Sequence, residues 1–226
     1  MNALSSHLHH VAVHPVHVDI VPETRPRDRL TTFFRPLLAL PHLILVGAPV
    51  AFTITWAWGS SPDRTSDSGL GAGILGFAAC LATLVAWVMI VLTGEHSPSL
   101  RRFSVWYMRW RVRANAYMAL LRDDYPPFGD EPYPATFTIG DVPAVRDRWS
   151  VALRPFLAIP HLLMMWALGV AWFFATVGAW FFLLVTGRHP EELYRFGVAV
   201  LRFNSQVEAY LLLLHDELPP FALDAS

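Results

Sequence analysis

The chain has 226 residues, of which 54% are hydrophobic and 15% are charged, and its net charge is −1. Soluble domains carry about 25% charged residues, so this composition favours a membrane protein. The near-zero net charge provides no basic field for nucleic acid. The single cysteine, Cys80, excludes an intrachain disulfide framework and a cysteine-based metal site.

Most of the chain is a tandem repeat. Residues 14–43 align without a gap on residues 133–162, and residues 93–128 align on residues 186–221, while the stretch between the blocks is 26 residues longer in the first copy. We therefore predict three parts. A disordered, His-rich tail (1–13) precedes repeat one (14–128) and repeat two (133–221).

Each repeat begins with a short strand pattern. Val16, Val18 and Ile20 alternate with polar residues, and the equivalent residues 136–139 also favour a strand. We expect these two short strands to pair in a small sheet at the membrane surface.

Uncharged stretches follow the strands. In repeat one, residues 37–58 and 70–92 lack Lys, Arg, Asp and Glu, and a polar loop separates them. Each is long enough to cross a bilayer, which takes about 20 residues, so they predict a transmembrane helical hairpin.

Repeat two has one uncharged run instead, residues 156–185. As a single helix it would be about 45 Å long, which exceeds a bilayer core of about 30 Å. Arg154 and Arg188 flank the run, and basic flanks favour the cytoplasmic side. We therefore predict a tight hairpin bent near Gly169. One long, tilted helix is the alternative.

A helix with arginines and aromatic residues follows each apolar region, over about 99–123 and about 191–215. Both stretches end at a Pro-Pro-Phe sequence, which cannot continue a helix. Basic amphipathic helices with aromatics lie in the headgroup plane of a membrane. The predicted fold is thus an all-α integral membrane protein of two tandem repeats. Each repeat has a transmembrane helical hairpin, an amphipathic interfacial helix and a short surface strand.

The repeated motifs resemble the DUF4389 family of bacterial membrane proteins, in two copies. The matching features are Arg-Pro-x-x-Ala-x-Pro-His-Leu (35–43 and 154–162), an Arg-Trp or Arg-Phe pair (109–110 and 202–203), and the Pro-Pro-Phe ends. The resemblance implies a multi-pass protein of the bacterial cytoplasmic membrane. It implies no activity and transfers no catalytic residue.

Two sets of recurring residues are candidates for binding. His42 and His161 occupy equivalent positions inside apolar segments and could hold a metal or haem iron, or could merely bond to nearby backbone at the interface. The second set comprises arginines that could bind lipid phosphates or an acidic partner. These arginines are Arg35, Arg154, Arg102, Arg109, Arg195 and Arg202. For Arg35 and Arg154, the competing interpretation is a positive-inside anchor with a local ion pair.

No catalytic or nucleotide-binding motif is recognisable. The sequence therefore favours a non-enzymatic accessory or scaffold protein without a cofactor. It would bind anionic membrane lipids or a membrane protein partner, and no nucleic acid, through a basic cytoplasmic face. A small oligomeric transporter or channel is one alternative, with Thr53, Thr55, Thr83 and Thr176 as candidate polar residues. A haem- or metal-binding membrane subunit that uses His42 and His161 is another.

Overall fold

The structure is a computed structural model that describes residues 15–23, 27–47, 68–129, 131–140 and 146–223. The predicted tail (1–13) and residues 48–58 of the first predicted span lie outside the described residues. The described part is mostly helical and has one two-stranded sheet.

The two predicted strands pair with each other. β1 (Val16–Ile20) and β2 (Ala135–Ile139) are antiparallel, and Val18 faces Phe137 at the centre of the register. Val18 and Phe137 are equivalent positions in the two repeats. The repeats are therefore related by a pseudo-twofold axis that passes through this pair.

Each repeat begins its helical part in the same way. α1 (Arg29–Leu38) and α2 (Leu40–Val46) meet at Ala39, and α5 (Arg148–Leu157) meets α6 (Ile159–Thr186) at Ala158. The carboxylates of Asp28 and Asp147 cap α1 and α5 by accepting backbone N–H bonds from the first turn. A proline follows each break by two residues and lacks the N–H that would continue the helix.

The long apolar run of repeat two forms a single helix. α6 continues through Gly169 to Thr186 without a turn, so the structure shows the alternative rather than the preferred hairpin. The physical reason is that the run contains no polar turn sequence, and Gly169 is buried within the helix.

Repeat one contains the same helix, interrupted by an insertion. The seven residues of α2 and the 21 residues of Gly73–Thr93 match the 28 residues of α6 in length. Gly73 has φ 71° and breaks α3 (Ser68–Thr93) near its start, where a Cβ would collide with the backbone of Gly47. The 26 extra residues are therefore inserted between α2 and Gly73, at a point where repeat two has one continuous helix. The predicted span 70–92 corresponds to α3.

The two remaining helices form the centre of the protein. α4 (Pro98–Met118) and α7 (Glu191–Leu211) pack on each other, on the two strands and on α3 and α6. Both form where the sequence predicts an amphipathic helix. From Tyr107 to Tyr117, however, nearly every residue of α4 is buried, so this half of the helix is core rather than a lipid-facing surface.

Three stretches are long and apolar enough to cross a membrane: Arg29–Val46, Gly73–Thr93 and Ile159–Thr186. Large apolar side chains are exposed along all three, including Leu30, Phe77 and Phe174. A soluble protein rarely exposes so large an apolar surface, whereas a bilayer would cover it.

The repeats also exchange contacts across the axis. The indole N–H of Trp180 in repeat two donates to the carbonyl of Thr32 in repeat one (2.9 Å), and Trp87 donates to Val151 in the opposite sense (2.9 Å). The first helix of each repeat is therefore held along the long apolar helix of the other.

Candidate functional site

Two buried arginine clusters occupy equivalent places in the repeats. Arg35 donates to the carbonyl of Arg122 (2.9 Å) and to the carboxylate of Asp123 (2.5 Å), and Arg27 donates to the same carboxylate oxygen (2.6 Å). The guanidinium of Arg35 also lies 4.7 Å from the centre of the Tyr117 ring.

Repeat two repeats this geometry. Arg154 donates to the carbonyls of Tyr210 (3.1 Å) and His215 (2.9 Å) and to Asp216 (2.6 Å), which Arg146 also contacts (3.2 Å). Arg154 lies 4.4 Å from the Tyr210 ring centre.

The clusters form because α4 and α7 end in a tight turn that leaves carbonyls without helical partners. In repeat one, Leu121 N–H bonds to Ala116 and Leu120 N–H bonds to Tyr117, with Leu120 in the left-handed region (φ 62°). Arg27 donates to the carbonyl of Leu120 (3.0 Å). The Leu120 side chain packs on Leu183 of α6, which explains why this position carries leucine rather than glycine.

Arg35 and Arg154, which are predicted lipid- or partner-binding residues, are buried in the structure. Each is only 2% exposed, and its terminal nitrogens are directed at backbone carbonyls and an aspartate of its own repeat. The structure thus places both arginines as internal clamps within their own repeats. Asp123 and Asp216 recur together with these arginines in the two copies, and this recurrence is the feature of the sequence that indicates the role.

A third buried arginine lies where the pseudosymmetry fails. Arg111 of α4 makes two bonds to the Glu208 carboxylate of α7 (2.6 and 2.9 Å), and Glu208 raises the pKa of Arg111 despite the opposing effect of burial. The symmetry-related pair would be Asn204 with Asn115, which carry no charge. Arg111 also donates to the carbonyl of Val46 (2.5 Å), the last residue of α2. Because the insertion ends the helix at Val46, this carbonyl has no helical N–H partner in the described part of the chain and accepts from Arg111 instead. The Arg111–Glu208 ion pair therefore lies beside the broken helix and has no charged counterpart beside the continuous one.

The other four predicted arginines differ in exposure. Arg102 and Arg109 are exposed on one face of α4, and Arg102 has a long contact with Ser99 (3.4 Å). Arg195 is exposed and pairs with Glu191 and Glu192. Arg202 is half-buried and donates to the carbonyl of Val18 (3.0 Å).

The two predicted histidine ligands are buried among aromatic rings. Nδ1 of His42 accepts from Trp110 (3.2 Å), and its ring stacks on Phe128 at 4.8 Å. Nε2 of His161 contacts the carbonyl of Pro219 (2.9 Å), and its ring stacks on Phe221 at 4.1 Å. Each histidine therefore anchors the Pro-Pro-Phe end of its own repeat.

No cluster of three or more metal-ligating side chains occurs within the described ranges. The haem or metal subunit thus stays a prediction without a supporting contact. For the transport alternative, Thr53 and Thr55 lie outside the described residues, and the Thr83 hydroxyl bonds to the carbonyl of Ala79 (2.8 Å). Thr176 lines a cavity.

Sequence reasoning missed two cavities along the seam where α1 lies on α6. The first is an open, almost wholly apolar groove of about 570 Å³, lined by α1, α2, the end of α4 and α6. Its lining includes Pro36, Ala39, Thr176, Trp180 and Phe181. Thr176 is the one hydroxyl side chain among these, so the groove suits a hydrocarbon better than a polar solute.

The second cavity lies at the polar end of the same seam and measures about 680 Å³. Its lining includes Arg29, Arg188, His189 and Tyr194. Burial lowers the pKa of His189 and raises the pKa of Tyr194, so both are neutral at pH 7. The first cavity is thus apolar, and the second, which is lined by three arginines and two glutamates, has a net positive charge and is the cationic cavity.

The comparisons with known proteins are consistent with the repeated architecture. No curated protein and no solved structure matches the chain. The model of DUF4389, a domain of unknown function, matches residues 71–129 and 148–222. The first match begins where the insertion ends, so the inserted residues separate 29–46 from the rest of repeat one. The two matches cover more than half of the chain, which therefore belongs to the DUF4389 family.

Proposed function

We propose that this protein is a non-enzymatic membrane accessory or scaffold protein. It would bind anionic lipid, or the acidic surface of a membrane partner, through exposed arginines on its cytoplasmic face. Assignment of that face to the cytoplasm of a bacterial inner membrane rests on the preference of arginine for the cytoplasmic side.

The observation that supports this proposal is the division of the arginines. All 17 basic residues of the chain are arginine. Among those that the structure describes, seven are buried and form internal bonds to carbonyls or carboxylates: Arg27, Arg35, Arg111, Arg113, Arg122, Arg146 and Arg154.

Arg102 and Arg109 are different, because they are exposed and neither forms an ion pair with an acid in the described part of the chain. They are seven residues apart on α4, which contains no Asp or Glu. Two guanidinium groups on one helix face suit phosphate or carboxylate groups, which arginine binds through paired hydrogen bonds. Each would contribute about 1 kcal/mol near an anionic membrane surface.

The test compares the protein in nanodiscs of phosphatidylcholine with and without phosphatidylglycerol. We expect the wild type to have a higher Tm when the anionic lipid is present, and the difference to shrink at high salt. The double variant Arg102→Gln/Arg109→Gln should lose most of that difference. Glu191→Gln is the control, because it changes an exposed charged residue but leaves Arg195 paired with Glu192, and it should not reduce the difference. Equal Tm values in both nanodiscs for the wild type would contradict the proposal.

A further inference from the structure

The α1–α6 seam combines the two features of a phospholipid site. The apolar groove is lined by Arg35 and Pro36 of α1, by Ala39 and by residues of α6 between Gly169 and Phe181. The lining of the cationic cavity includes Arg29 and Thr186 to Arg188. Along either helix, the nearest lining residues of the two cavities are about five or six positions apart, or roughly 8 Å. One molecule with a charged head and a hydrocarbon chain could therefore occupy both.

The charge balance of the polar cavity favours an anion. Three arginines and two glutamates line it. Arg27 is held by Asp123, Glu23 is held by Arg122 at 3.2 Å, and Glu191 lies 3.7 Å from Arg195. Arg29 and Arg188 are both exposed, and neither has a carboxylate partner among the described residues. Two positive charges therefore remain at the mouth of the seam.

Two polar atoms in the same cavity also lack partners. Nε2 of His189 and the hydroxyl of Tyr194 are both buried, and neither bonds to another group of the described chain. Buried polar atoms usually have a partner. A phosphate or glycerol oxygen in this cavity would supply one for each.

We propose that this seam binds one anionic phospholipid, with its phosphate on Arg29 and Arg188 and an acyl chain in the apolar groove. The inference rests on the proposed function as a lipid-binding protein and assigns the lipid to a defined site. Trp180, which lines the apolar groove, stacks on Phe33 at 6.2 Å, and aromatic rings of this kind are enriched near headgroups in membrane proteins.

The pseudosymmetry provides an internal control. In the opposite seam, between α5 and α3, the position of Arg188 is taken by Glu95 and that of Tyr194 by Arg101. Arg148, the counterpart of Arg29, donates to the carbonyl of Thr93 (3.1 Å). Arg101 donates to the carbonyl of Gly140 (3.0 Å), and Glu95 is an acid where the first seam has a base, so we expect one tightly held lipid per chain rather than two.

The experiment is native mass spectrometry of the full chain released from nanodiscs that contain phosphatidylglycerol and phosphatidylcholine. We expect one retained phosphatidylglycerol. Arg29→Gln/Arg188→Gln should weaken its retention by about 30-fold, which corresponds to about 1 kcal/mol for each arginine. Arg148→Gln should leave retention unchanged. Thr176→Trp fills the groove with a larger side chain. It should reduce the retention of phosphatidylglycerol and of any phosphatidylcholine that occupies the site.

Added glycerol phosphate distinguishes a lipid from a free phosphate, because it has the head but no chain. It should not displace the lipid, and displacement at a similar concentration would overturn the assignment of the groove. Unchanged Tm values in nanodiscs of phosphatidylcholine alone would show that the exposed Arg29 and Arg188 variants still fold. Retention in Arg29→Gln/Arg188→Gln equal to that in Arg148→Gln would refute the site.

The outcomes also separate this inference from the proposed function. If lipid binding survives Arg29→Gln/Arg188→Gln but is lost in Arg102→Gln/Arg109→Gln, the seam assignment fails and the proposed function stands. If neither pair of variants affects anionic lipid, both fail.

Discussion

Replacement of Arg154 by methionine tests whether the buried arginines are internal clamps. The change removes three hydrogen bonds, to Tyr210, His215 and Asp216, at 3.1, 2.9 and 2.6 Å. Removing one partner of a buried ion pair costs about 3–5 kcal/mol. The Asp216 side chain is 37% exposed and retains Arg146 as a neighbour, so we expect a loss near the lower limit, about 3 kcal/mol.

The assay is unfolding in mixed micelles, followed by tryptophan fluorescence. Arg154→Lys keeps the charge but not the fork of donors, and we expect it to cost about 2 kcal/mol. Arg102→Gln is the control for an exposed arginine and should change the free energy of unfolding by less than about 0.5 kcal/mol. Because the clusters are equivalent, Arg35→Met should match Arg154→Met within about 1 kcal/mol. If Arg154→Met costs no more than Arg102→Gln, the clamp interpretation is refuted.

Three further predictions concern other features. Arg111→Met and Glu208→Gln should each destabilise the protein by about 3 kcal/mol. The double variant should lose clearly less than the sum, because it leaves no buried charge unpaired. A double-mutant cycle of unfolding free energies measures this coupling. Gly187→Ala should cost about 1 kcal/mol because its φ of 71° is left-handed, whereas Gly178→Ala, with nothing within 4 Å of the added Cβ, should be neutral or stabilising in the same assay. Burial lowers the pKa of His189, so the unfolded chain binds its proton more readily and stability should fall as the pH drops below 6.5; His189→Gln should flatten this part of the stability profile against pH.

Each of these has a result that would count against it. Additive losses in the cycle would mean that the two charged groups act independently. Equal effects of the two glycine substitutions would show that the turn after α6 does not require the left-handed conformation. A pH profile identical in wild type and His189→Gln would assign the acid sensitivity to other groups.

The sequence predicted the repeat, the two short strands and the positions of the helices because these depend on local pattern and internal comparison. The preferred hairpin in repeat two differs from the structure because the length of the run relative to a bilayer favours two short helices, whereas alignment with the other copy favours one. α2 and Gly73–Thr93 together match α6 in length, so the extra residues of repeat one interrupt what is a single helix in repeat two.

The roles of individual arginines were harder to predict, since burial of a guanidinium depends on tertiary packing. Arg35 and Arg102 both recur in the second copy, yet one is buried against a helix end and the other is exposed. A recurring aspartate was the available clue for the first. The cationic cavity at Arg29 and Arg188 could not be found by repeat comparison, because Glu95 replaces Arg188 in the other copy and the site is therefore asymmetric.

The most direct test of anionic lipid binding is the lipid composition around the protein when a polymer extracts it straight from the membrane, without detergent. We predict that phosphatidylglycerol or another anionic lipid is enriched over the bulk membrane in wild-type particles. The enrichment should decline in Arg102→Gln/Arg109→Gln and in Arg29→Gln/Arg188→Gln. Wild-type particles with the composition of the bulk membrane would contradict the account.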